Sequence, residues 1–189
     1  MKRSAYENLF WGMIFIFFNF YINILNILPN FVGYILILLA VNNLVYRRDI
    51  FNKIKIPTII LVALGLRDIF SQNYQMGNMF NTANTRWVLS ILTSLESIIF
   101  LYVMYILCEG IVDILNEKGV YTLSDNIKKT FKIFMISSII GIIYSPLSMY
   151  LPVQISVIML IIAALYVVTG VYLGYLFKTV KNYDSEIGN

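Results

Sequence analysis

The chain has 189 residues, 59% of them apolar, 15% aromatic and only 13% charged, with a net charge of +4. Soluble domains carry about 25% charged residues, so a water-facing exterior and a separate soluble domain are both excluded, leaving a polytopic membrane protein of a single domain, residues 1–189. With no histidine and one cysteine, Cys108, histidine-based catalysis, disulfides and cysteine metal cages are excluded as well, and neither metal nor cofactor is expected.

The opening, MKRSAYENLFWGMIFIFF, has the basic-then-apolar order of a secretory signal. Its apolar run continues to Leu28, however, beyond the ~7–15 residues of a signal core, and no small-x-small cleavage site follows. It is read as a retained first helix, residues 9–28, ended by Pro29. A second span, 31–46, stops at Arg47–Arg48–Asp49. The amphipathic FNKIKI leads to Pro57, which suits the first turn of a third span, 56–70. That span is short, about 22 Å at ~1.5 Å per residue, and carries Arg67–Asp68 at its far end. The polar stretch Ser71–Thr85 reads as the longest loop. A fourth span, 86–110, lies within the long apolar run Arg86–Glu117, which Gly119 ends, and Ser124–Asp125 offers a cap for a fifth, 127–145. Pro152 opens the sixth, 153–177.

Six spans with the N-terminus inside place twelve of the fourteen lysines and arginines on the inner side. Only Arg67 and Arg86 fall outside, the asymmetry expected of a chain with both termini cytoplasmic. The basic balance is thereby accounted for without nucleic acid. The expected class is all-α, a six-helix transmembrane bundle.

One acidic residue sits deep in a span. Glu96 lies ten residues beyond Arg86, about 15 Å down the helix and near the midplane. An acid facing lipid there costs about 2.5–3.5 kcal/mol even on low scales, so Glu96 must face the bundle, be protonated or have a partner. Ser90, Thr93, Ser94 and Ser97 form a polar stripe beside it. Asn19, Asn23 and Asn26 share one face of the first span (i, i+4, i+7), and Arg67 is long enough to reach inward. A buried cluster of Glu96, Asn19, Asn23 and Arg67 is expected, serving a solute or ion, or simply helix association.

Glu109 and Asp113 share a face near the inner end of the fourth helix, where two acids oppose both the dipole and each other. They suit a salt-bridge network with Arg47, Arg48, Lys128 or Lys129, or a surface for a membrane or cytoplasmic partner. Gly170-x-x-x-Gly174 gives the sixth span a small-residue packing face, first of all within the monomer. Trp11, Tyr46, Trp87 and Tyr150 fall near span ends, where interfacial aromatics belong. Cys108, among apolar neighbours, reads as an inert packed thiol.

At Ile27–Val41, ILPNFVGYILILLAV, the chain resembles small multi-pass membrane proteins of low-GC Gram-positive bacteria, a group of uncharacterised function. They share a Leu-Pro-x-Phe-x-Gly-Tyr stretch leading into the second span, here Leu28, Pro29, Phe31, Gly33 and Tyr34. The position after the proline, often acidic in that group, is Asn30 here. The resemblance implies a bacterial plasma membrane, and Gly33 then serves close packing across the first hairpin. In size and span count alone the chain is also similar to the substrate-binding subunits of energy-coupling-factor vitamin transporters. Its bulky first helix lacks their small-xxx-small docking face.

Two functions fit these residues: binding or translocation of a small solute or ion at Glu96, or a non-catalytic accessory role with a protein partner. An enzyme is not expected. No second acid lies near Glu96 for paired-carboxylate chemistry, and no lysine lies near the middle of a span.

Overall fold

The computed structural model describes residues 4–18, 21–22, 25–26, 30–74, 83–147 and 153–185. Among them the chain is helical apart from one two-residue ladder. In order these are α1 (Ala5–Phe17), β1 (Tyr21–Ile22), β2 (Leu25–Asn26), α2 (Asn30–Leu44), a 3-10 helix (Asp49–Ile54), α3 (Lys55–Tyr74), α4 (Ala83–Glu117), α5 (Tyr121–Leu147) and α6 (Val153–Ser185).

A continuous helix over 9–28 does not form. α1 stops at Phe17, about 20 Å from its start, and Tyr21 then pairs with Asn26 and Ile22 with Leu25. The local composition explains the break. Aromatic and β-branched residues of this stretch suit extended backbone, while the asparagine side chains compete with helical hydrogen bonds. The proline turns expected at Leu28–Pro29 and Leu151–Pro152 lie outside the described residues.

Other boundaries move outward. α3 runs on to Tyr74 and α4 already begins at Ala83, so both ends of the expected Ser71–Thr85 loop are helical. α5 begins at Tyr121, which puts Ser124 inside the helix rather than at its cap. Ser124 is buried there, its hydroxyl without a partner among the described residues. Gly119 does end α4. With φ at 72° it takes the left-handed conformation, and the Val120 and Gly119 N–H groups donate to the Leu115 and Asn116 carbonyls at 2.9 and 3.1 Å, satisfying the helix end.

Each helix packs on its chain neighbours and α6 returns to α1, so the six form a closed ring. The closing seam is antiparallel and regular. From the charged end inward, Lys181 donates to Glu7 at 2.7 Å, Lys178 lies 4.8 Å over the Phe10 ring, Gly174 meets Met13, and Gly170 meets Phe17. Next along the ring, α1 and α2 touch backbone to backbone at Gly12 and Gly33. Gly12 is thus the small residue that lets an otherwise bulky α1 approach its neighbour. The 3-10 helix buries Phe51 and Ile54, the former lodged against Gly110 of α4.

Ion pairs gather at the end where α1 starts and α2, α4 and α6 finish: Glu7 with Lys181, and Arg48 with Glu117. Among the described residues, Ile91–Glu117 and Val157–Tyr183 are long and apolar enough to cross a membrane. The first window is 61% buried, as any core helix is; the second, with a mean hydropathy of 2.4, is only 22% buried.

Candidate functional site

The opposite half of the bundle holds a cavity of about 250 Å³ around Glu96. α1 supplies Ile16 and Phe17, α2 supplies Asn30 and Tyr34, α4 supplies Thr93, Glu96, Ser97 and Phe100, and α6 supplies Tyr166. The helical repeat explains the α4 set: Thr93, Glu96, Ser97 and Phe100 fall within one stripe, three and four residues apart. Glu96 is thirteen residues past the helix start at Ala83, about 20 Å along it.

Glu96 is 7% exposed. A carboxylate has no proton to give, so the Tyr34 hydroxyl donates, at 2.9 Å to Glu96 Oε1. Thr93 and Tyr166 bring further hydroxyls to the lining. The Ser97 hydroxyl gives its proton to the Thr93 carbonyl at 2.9 Å. Asn30 Oδ1 is buried with no partner among the described residues.

The remaining walls are aromatic. Phe17 stands at 62° to Phe100 with centroids 6.2 Å apart, and at 72° to Tyr166 at 5.1 Å. Tyr34 is inclined at 59° to Phe100 at 5.9 Å. Rings set steeply to one another form the sides of a box rather than a stack. Phe134, stacked 4.9 Å from Tyr166, backs this box from α5.

Ser97 and Tyr166 separate this space from a second cavity of about 240 Å³ between α4, α5 and α6. That one is mostly apolar, with Ser137, Ser138 and Tyr144 among its lining residues. Ser137 returns its proton to the Ile133 carbonyl of its own helix at 3.0 Å.

Of the four residues expected to cluster, Glu96 is in the cavity. Asn19 and Asn23 lie outside the described residues, and Arg67 belongs to α3 but its side chain is outside them too. Tyr34, Asn30 and the aromatic walls were not anticipated. One signal was available: Tyr34 follows Asn30 by one turn on the buried face of α2, and a buried tyrosine hydroxyl needs a partner. Gly33, Gly170 and Gly174 are packing contacts to α1.

At the charged end, Glu109 and Asp113 are exposed. The Tyr105 hydroxyl lies close to the Glu109 carboxyl. Asp113 faces a surface cleft of about 510 Å³ with Arg47, Arg48 and Asp49. The partner of Arg48 is Glu117, one turn beyond Asp113. Among the described residues no three of the usual metal-ligating side chains converge. Comparison with known proteins adds no relative to this geometry: no protein-family profile, no curated protein and no solved structure matches the chain.

Proposed function

We propose that the chain is a multi-pass protein of the bacterial plasma membrane, crossing it six times with both ends cytoplasmic, and that it binds or translocates a small solute or ion at Glu96. The membrane reading is supported by the outer half of α6, where Val157, Leu160, Ile161 and Val168 are each more than three-fifths exposed. Water does not tolerate so large a contiguous apolar face. Antiparallel packing around the ring and the inner concentration of lysine and arginine support the six crossings and their direction. α1 and α2 are short for a ~30 Å layer. A paired ladder between them keeps some backbone groups bonded, and irregular backbone is tolerated at depth where it borders a cavity.

The observation that carries the solute reading is the Glu96 carboxylate on a cavity wall within an apolar bundle. A carboxylate kept only for helix association would pack dry against its partner. Glu96→Gln preserves shape and deletes the charge. In proteoliposomes or whole cells, the variant is expected to lose solute uptake and proton coupling while eluting as the same monodisperse species. Unchanged uptake and coupling would end the transport reading.

A second reading, an accessory protein with a membrane or cytoplasmic protein partner, draws on the mixed-charge cleft of Arg47, Arg48, Asp49 and Asp113. Reversing charge at Asp113 and Arg47 while leaving Glu96 intact is expected to abolish co-purification of such a partner.

A further inference from the structure

We propose that the cytoplasmic end of α5 holds an anionic phospholipid of the inner leaflet, its phosphate headgroup on Lys128, Lys129 and Lys132 and an acyl chain along the isoleucines that follow. This inference rests on the membrane reading of the chain and is independent of the solute reading.

α5 packs on α4 and α6 and turns another side outward. Its buried stripe is Ile127, Phe131, Phe134 and Ser138, three and four residues apart. The same spacing on the outward side runs Lys128, Lys132, Ile136, Ile139 and Ile143, with Lys129 at its edge, all of them exposed. Charge gives way to hydrocarbon along a single stripe, which is the order of groups in a phospholipid. The lengths agree as well. From Lys132 to Ile143 is eleven residues, about 16 Å, against about 15 Å for half of a ~30 Å hydrocarbon layer. Lys181 is paired with Glu7 and Arg48 with Glu117, whereas Lys128, Lys129 and Lys132 take part in no ion pair among the described residues. The nearby acids are Asp125, one turn earlier on the same side, and Glu109 and Asp113 on α4; all are exposed, and none is bonded to these lysines. Three lysines against Asp125 leave this side of α5 positive, and such a segment is drawn to an anionic bilayer surface. A soluble acidic partner would meet the lysines and leave the isoleucines bare. A partner helix fits less well, because the stripe holds no small residue to admit a close approach.

The full chain in detergent is mixed with phosphatidylglycerol and phosphatidylcholine of identical acyl chains, and the lipid it retains is read by native mass spectrometry. Preferential retention of phosphatidylglycerol is expected, each lysine contributing about fivefold. Lys128→Gln, Lys129→Gln and Lys132→Gln together are expected to remove the preference. Arginine at the same three positions is expected to keep it, as is Lys53→Gln on the exposed side of the 3-10 helix. Excess glycerol phosphate, a headgroup without chains, is expected not to displace the lipid. Each variant is accompanied by its elution profile and thermal melt. If the triple glutamine variant fails to fold, Lys132→Gln alone, expected to weaken the preference about fivefold, decides the matter. No preference in the natural chain, an undiminished one in a folded glutamine variant, or displacement by glycerol phosphate overturns the proposal. A protein that copurifies with the natural chain and not with the glutamine variant, in the absence of a lipid preference, reassigns this side to a partner and overturns it too. Release of the natural chain from cell membranes by alkaline carbonate overturns the membrane reading and the lipid site together. A chain that stays in the membrane yet shows no preference overturns the site alone.

Discussion

Glu96 and Tyr34 sustain one another. Each is almost wholly buried, and their hydrogen bond joins helices that are 62 positions apart in the chain. Tyr34→Phe keeps the ring and removes the donor. It is expected to cost about 1–2 kcal/mol, read as a melting temperature several degrees lower in detergent; an unchanged melt would show that the bond contributes nothing. The burial of Glu96 was legible from the cost of leaving an acid on a lipid-facing side. Its partner was not, because pairing across helices depends on the rotation of each about its axis. A second residue-scale expectation concerns acid. The hydrogen bond from Lys181, aided by the charges of Lys181 and Lys178, holds the Glu7 carboxyl below the ordinary glutamate range. A lowered folded value means this contact stabilises the bundle above the unfolded pKa, about 4.3, and is lost as pH falls through the lowered value. Melting temperature should therefore drop in that acid window for the natural chain, and drop less for Glu7→Gln.

The helices themselves show where periodicity suffices and where it fails. α4 and α6 were readable as long apolar runs, and the left-handed stop at Gly119 was readable as a glycine past the last periodic residue. Gly119→Ala keeps the turn but strains it, for an expected loss of about 1–2 kcal/mol. The first span misled because hydropathy does not distinguish helical from extended backbone. A run such as FNFYINI satisfies a transmembrane window while its asparagines and β-formers favour the ladder that interrupts it. Close contacts are likewise invisible until the elements are set side by side. A Cβ added at Gly33 would lie 2.7 Å from the Gly12 carbonyl and 2.5 Å from Ile16. Because backbone cannot swing aside, Gly33→Ala is expected to destabilise by about 1–3 kcal/mol. At Gly141 nothing lies within 4 Å of such a carbon, so Gly141→Ala should show no loss in the same melting experiment.

For the molecule as a whole, the direction of each helix is testable without knowing the ligand. Cys108 is buried, so a membrane-impermeant maleimide applied to intact cells should not label the natural chain. A cysteine in place of Leu147, at the far end of α5, should be labelled from outside; one in place of Asn52, on the exposed side of the 3-10 helix, should be labelled only after lysis. The reverse pattern would invert the topology. Lysine and arginine placement is what this expectation rests on, whereas ring closure was hidden: Gly170 and Gly174 announced a packing face, but nothing local pointed to Phe17 and Met13 some 150 positions earlier. That seam has a consequence for biogenesis. Tyr166, which lines the Glu96 cavity, arrives on the last helix, after the other walls have been synthesised. A nascent protein leaving the ribosome therefore carries Glu96 in an unfinished chamber, whose last wall closes only when the final rod clasps the first.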